Sequence, residues 1–93
     1  MTQSREQVCN PQVLFTELDD GTGVVLNLDT KFYFSLNMTA VVLWKELARG
    51  ARTRAALAAS LVGEFEVQEA DAASDVALLI DELLAEGLVE RVA

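Results

Sequence analysis

The stretch that decides the fold is Leu26-Asn27-Leu28-Asp29-Thr30-Lys31-Phe32-Tyr33-Phe34-Ser35-Leu36-Asn37. Apolar residues stand at Leu26 and Leu28, then at Phe32, Phe34 and Leu36. That is the period of two of a strand with one buried face. Asp29-Thr30 between them reads as a tight turn, because an Asp side chain can bond the backbone just ahead of it. Tyr33 sets a large ring on the otherwise polar face. Asn37 reads as a helix cap whose side chain accepts from the first free helical amides.

Working outward toward the N-terminus, Val24 to Leu28 is a second strand rich in branched residues. Asp19-Asp20-Gly21-Thr22-Gly23 is a turn cluster in which glycine permits positive φ. Gln12 to Leu18 forms a first strand and Lys31 to Leu36 the third. Links this short make the three an antiparallel meander, since parallel neighbours need a long crossover. Met1 to Pro11 has no periodicity and reads as a flexible arm, with residues 12–93 as a single domain.

Toward the C-terminus, a helix from Met38 to Arg49 sets Ala40, Val41, Leu43, Trp44, Leu47 and Ala48 on one face. Gly50 stops it. Thr53 caps a second helix with Leu57 and Leu61 inward, and Phe65 and Val67 plug the following turn. A third helix runs from about Glu69 to Glu86, with Glu69 and Asp71 in the first turn, where the macrodipole favours them. Ala73, Val76, Leu79, Ile80, Leu83 and Leu84 share its apolar arc. Asp71, Ser74, Asp75, Asp81, Glu82 and Glu86 share the polar one, with Leu78 in its middle. Gly87-Leu88 reads as a Schellman stop. Val89 to Val92 either adds a short strand or simply packs. The fold class is therefore α+β, a three-stranded antiparallel sheet followed by three helices.

Composition narrows the function. The chain has 93 residues, 52% of them hydrophobic, and a net charge of -8, which argues for one small packed domain and against disorder. So acidic a protein repels a phosphate backbone. With no His and a single Cys, neither a zinc site nor an internal disulfide framework is expected, and no cofactor is called for. Cys9 reads as a spectator thiol in a reducing cytosol. The first residues lack a signal-peptide core, and no apolar run reaches membrane-spanning length. A soluble cytoplasmic protein is the expectation.

Beyond these patterns, an ordered series of residues resembles the PqqD-like family, also called the precursor-peptide recognition element of ribosomally made, post-translationally modified peptide (RiPP) pathways. The series is Val25-Leu26-Asn27-Leu28-Asp29-Thr30, Tyr33, Leu36-Asn37, Leu43-Trp44, Arg52-Thr53, Leu57, Leu61, Phe65-Glu66-Val67, Asp75-Val76, Leu83 and Gly87-Leu88-Val89. The resemblance covers roughly Val13 to Val89. Lys31 departs from it at a turn position where glycine is common, and Gln68 at a cap position where Asp is common.

The resemblance implies a winged helix-turn-helix-like domain that is not an enzyme. It implies capture of the leader segment of a precursor peptide as an added strand, and presentation of the core segment to a modifying enzyme. That enzyme would be a radical SAM enzyme, a leader protease or a cyclase, in a quinone-cofactor (PQQ), lasso or other such pathway. Carried onto this chain, the receiving strand comprises Lys31, Phe32, Tyr33, Phe34 and Ser35, and the helix wall comprises Asp75, Leu78, Leu79 and Glu82. From the residues alone, Phe34 and Leu36 read as core, and Lys31 and Tyr33, on the opposite face, as contacts. An open strand edge would also suit a homodimer. The acidic balance favours a leader bearing Lys or Arg.

Two other classes compete. A winged-helix DNA-binding regulator would use the basic cluster Lys45, Arg49, Arg52 and Arg54, although the third helix bears carboxylates on its polar face. An enzyme would use the helix-face pair Asp71 and Asp75, which have no His, Lys or metal cluster near them in sequence.

Overall fold

The computed structural model describes residues 6–92 and contains six strands and three helices. Strands β2 (Val13–Glu17), β3 (Gly23–Asn27) and β4 (Tyr33–Leu36) form the expected antiparallel meander in the order β2-β3-β4. Helices α1 (Met38–Ala48), α2 (Arg54–Glu64) and α3 (Glu69–Ala85) follow. Among the described residues no helix is long and apolar enough to cross a membrane.

Each helix starts and stops for local reasons. The Asn37 carboxamide accepts from the Ala40 amide at 2.8 Å and caps α1. The Thr53 hydroxyl does the same for α2 through Ala56 at 3.1 Å. Gln68 makes no side-chain cap bond to α3, and the acidic first turn, Glu69 and Asp71, is what remains to favour that end. At the far end Gly87 adopts φ 71. Its amide donates to the Leu84 carbonyl at 3.1 Å and the Leu88 amide to the Leu83 carbonyl at 2.9 Å. This is the Schellman pair of bonds, and Leu83 and Leu88 are both buried beside it.

The core lies where the helices meet the sheet. Val25 and Leu36 from the strands pack with Ala40, Leu43, Trp44 and Leu47 of α1. Leu57, Leu61, Ala72, Val76, Ile80 and Leu83 complete it from α2 and α3. Phe15 of β2 leans on Trp44, with ring centroids 6.3 Å apart. The inward register of α3 is Ala72, Val76, Ile80 and Leu83, so Ala72 rather than the expected Ala73 is buried. A small residue at either position leaves the periodicity equally well satisfied, and the packing of α3 on α2 decides.

The N-terminus differs from the arm expected over residues 1–11. Glu6–Cys9 is β1, the middle strand of a second sheet of order β5-β1-β6. It pairs with β5 (Arg52–Thr53) on one side and β6 (Val89–Arg91) on the other. Both neighbours are distant in sequence, and a four-residue strand is too short to announce itself by periodicity. Burial of Gln7 and the pairing on both edges hold it. The first five positions of the expected arm lie outside the described residues. Cys9 on this strand is half-buried, its thiol directed to the Trp44 carbonyl at 3.9 Å.

The link from β3 to β4 also differs in detail. Asp29 does not supply the side-chain bonds to this link: the Thr30 hydroxyl accepts from the Phe32 amide at 3.3 Å, and the turn itself is held by the side chain of Asn27. Its oxygen accepts from the amides of Asp29 at 2.9 Å and Thr30 at 3.3 Å. Its nitrogen donates to the Gly87 carbonyl at 3.4 Å, a carbonyl that also receives the Asn10 side chain at 2.8 Å. Lys31 takes the left-handed conformation, φ 65, which explains why its position suits glycine. The strand therefore begins at Tyr33, two residues later than the alternation implied.

Asn27 is only 3% exposed, so removing its amide strands groups that water reaches poorly. Asn27→Ala is expected to cost about 1–2 kcal/mol. For a domain of this size that lowers the melting temperature by roughly 5–15 °C, which a thermal melt followed by circular dichroism measures.

Candidate functional site

An antiparallel ladder uses its backbone groups in alternation, toward one neighbour and then the other. The Asn27 amide donates to the Phe32 carbonyl at 2.9 Å, and Val25 stands opposite Phe34 and Gly23 opposite Leu36. Alternation then directs the amides and carbonyls of Phe34 and Leu36 toward β3. Those of Tyr33 and Ser35 point the other way, off the edge of the sheet. Among the described residues no strand pairs with that edge.

The edge opens onto a groove of about 410 Å³. Phe34 and Ser35 of β4 form one wall. Asp75, Leu78, Leu79 and Glu82 of α3 form the other, and Asn37, Thr39, Ala40 and Leu43 lie along the start of α1. The α3 side presents a leucine, Leu78, that is 64% exposed. Ala40 and Leu43 are buried yet reach the groove, which gives it an apolar floor. An open backbone edge beside an apolar trough flanked by polar groups is the layout that receives an extended peptide.

Six of the nine residues singled out from the sequence meet on this groove: Phe34, Ser35, Asp75, Leu78, Leu79 and Glu82. The other three do not line it. Tyr33, 74% exposed, faces the outer side of the sheet in a cross-strand row with Leu26 and Leu14. Phe32, 71% exposed, and Lys31 belong to the turn. Phe34 is half-buried, packed against the core with part of its surface on the groove, so the reading of it as purely core is too simple. The residues of α1 were missed. Asn37 carries the signal that could have found them, because a cap placed directly after an edge strand forces the first helical turn to lie beside that edge.

The basic cluster is already engaged within the chain. Lys45 pairs with Glu17 at 2.6 Å, Arg49 and Arg52 with Glu46 at 3.6 Å each, and Arg54 with Asp81 at 2.7 Å. A phosphate backbone would have to displace these partners, and nothing supports the DNA-binding alternative. Burial pushes the Cys9 thiol up to about 11, which leaves it a weak nucleophile. Among the described residues no group of three or more His, Cys, Asp or Glu is placed to hold a metal ion.

Comparison with known proteins places the fold among solved structures. A structure described as lasso peptide synthetase B1 complexed with the leader peptide is 30% identical, with a TM-score of 0.77, over 91% of this chain and 98% of that one. A second, TbiB1 in complex with the TbiA(beta) leader peptide, has a TM-score of 0.80 over 89% of this chain and 94% of the other. At 22% identity, that second likeness is one of fold. A search of curated proteins finds no match. The family model for coenzyme PQQ synthesis protein D matches residues 22–89, a span running from the β2–β3 turn through both walls of the groove to β6, and the chain belongs to the PqqD family.

Proposed function

We propose that the chain is a non-catalytic recognition domain that captures the leader segment of a ribosomally made precursor peptide. The leader adds as a strand along β4 and packs its side chains against α3. The core segment is thereby held for a modifying enzyme in the cytoplasm. The observation that carries this reading is the outward-facing backbone of Tyr33 and Ser35, set beside a groove that exposes Leu78. An incoming extended chain supplies the missing ladder bonds, and the groove selects its side chains.

Membership of the PqqD family supports the reading, and so do two structural neighbours described as leader-peptide complexes. The neighbour described as lasso peptide synthetase B1 favours a lasso peptide pathway, with a leader protease or cyclase as the enzyme partner, over a radical SAM enzyme. The non-catalytic role fits a weakly nucleophilic Cys9 and the exposure of Asp71 and Asp75 to solvent. A free strand edge also suits a second copy of the chain, and dilution separates the two: a leader competes with self-pairing, and a monomer binds it best.

Two substitutions test the proposal against a synthetic leader peptide of a lasso precursor. Ser35→Pro removes an outward donor at an edge position that proline tolerates. It is expected to weaken binding about tenfold, the worth of a backbone hydrogen bond, with the melting temperature nearly kept. Unchanged affinity by fluorescence polarisation, with the fold intact, contradicts strand addition at β4. Leu78→Asp is expected to weaken binding by a similar factor while shifting stability by less than about 0.5 kcal/mol, as for other exposed positions. A large drop in melting temperature would assign Leu78 to the core instead.

A further inference from the structure

The charge and spacing of the α3 wall specify the peptide more closely. We infer that the captured segment carries the pattern basic–x–large apolar–x–basic on the strand that pairs with β4. This rests on the strand-addition reading above and adds to it the side-chain class the groove selects.

Asp75 and Glu82 are exposed and line the groove. Among the described residues neither has an ion-pair partner, and no Lys or Arg lines the groove. Arg54, the cation that pairs with α3, is held by Asp81, which adjoins Glu82 in sequence and does not line the groove. The wall therefore presents two uncompensated carboxylates.

Their spacing sets the pattern. Asp75 and Glu82 are seven residues apart, so they share a face and stand about 10.5 Å apart along the helix axis. Leu78 and Leu79 lie between them, over the floor made by Ala40 and Leu43. Side chains on one face of an extended peptide recur about every 6.7 Å, so three in a row span about 13 Å. With the peptide laid along α3, the middle one meets the leucines and the outer two meet the carboxylates. A mismatch of about 3 Å is within reach of a flexible Lys or Arg stem. An acidic residue at either outer position would face a like charge in a partly enclosed groove.

Three short synthetic peptides with the same Thr- and Val-rich flanks test this: Lys-x-Leu-x-Lys, Gln-x-Leu-x-Gln and Glu-x-Leu-x-Glu. Binding is measured by fluorescence polarisation at low and high salt to the wild type, to Asp75→Asn with Glu82→Gln, to Asp75→Lys with Glu82→Lys, and to Ser35→Pro. The Lys peptide is expected to bind about fivefold tighter than the Gln peptide at low salt, as two exposed ion pairs allow, and less so at high salt. The preference should vanish in the neutral double variant and reverse in the lysine one. Equal affinities for the three peptides, still lost in Ser35→Pro, overturn the charge pattern and leave strand addition standing. A Lys preference untouched by Ser35→Pro is diffuse attraction to an acidic protein and overturns both. Failure of all three peptides to bind overturns the pattern and counts against the groove as a strand-receiving site.

Discussion

One buried carboxamide sets the frame on which the rest hangs. Asn27 ends β3, closes the turn into β4 through two backbone amides, and reaches the carbonyl that terminates α3. The hairpin and the helix end are otherwise separated by sixty residues of chain. A side chain with one acceptor and one donor group can serve both only in this orientation. The Schellman glycine is part of the same arrangement, because φ 71 at Gly87 turns the chain where its carbonyl can meet Asn27 and Asn10. The sheet is thereby tied to the far end of α3.

That tie has a functional consequence. β4 is held on one side by β3, and α3 stands off the other side, across a groove too open to be core. A fold that needed only stability would close this space with larger side chains. Here Ala40 lies at its floor and a leucine stands exposed on its rim. The second sheet joins β1 to β5 and β6 and so pins the start of α2 and the end of α3. In the small basic cluster, Lys45 bridges to β2, Arg52 to α1 and Arg54 to α3, while Arg49 pairs with Glu46 one turn back.

Much of this was legible in the residues. Alternation gave the meander, the caps Asn37 and Thr53 gave the helix starts, and Gly87-Leu88 gave the last stop, because each rests on contacts within a few residues. Leu78 stood out as the break in a polar arc, whereas the α3 wall as a whole was implied by the family resemblance. What escaped depends on long-range or conformational facts. The strand at Glu6–Cys9 exists through partners more than forty residues away. Phe32 kept the alternation of the strand, yet the left-handed Lys31 moves the strand start and leaves that ring in solvent. Asn27 was visible as part of a motif, but its role needs Gly87 brought beside it.

The account's central claim is that another chain completes the ladder of β4, and amide hydrogen exchange tests it most directly. When a synthetic leader peptide that binds the chain is added, the amides of Tyr33 and Ser35 should slow markedly, while that of Phe34, already directed at β3, should change little. Equal protection of all three, or none at Tyr33 and Ser35 despite tight binding, would contradict it.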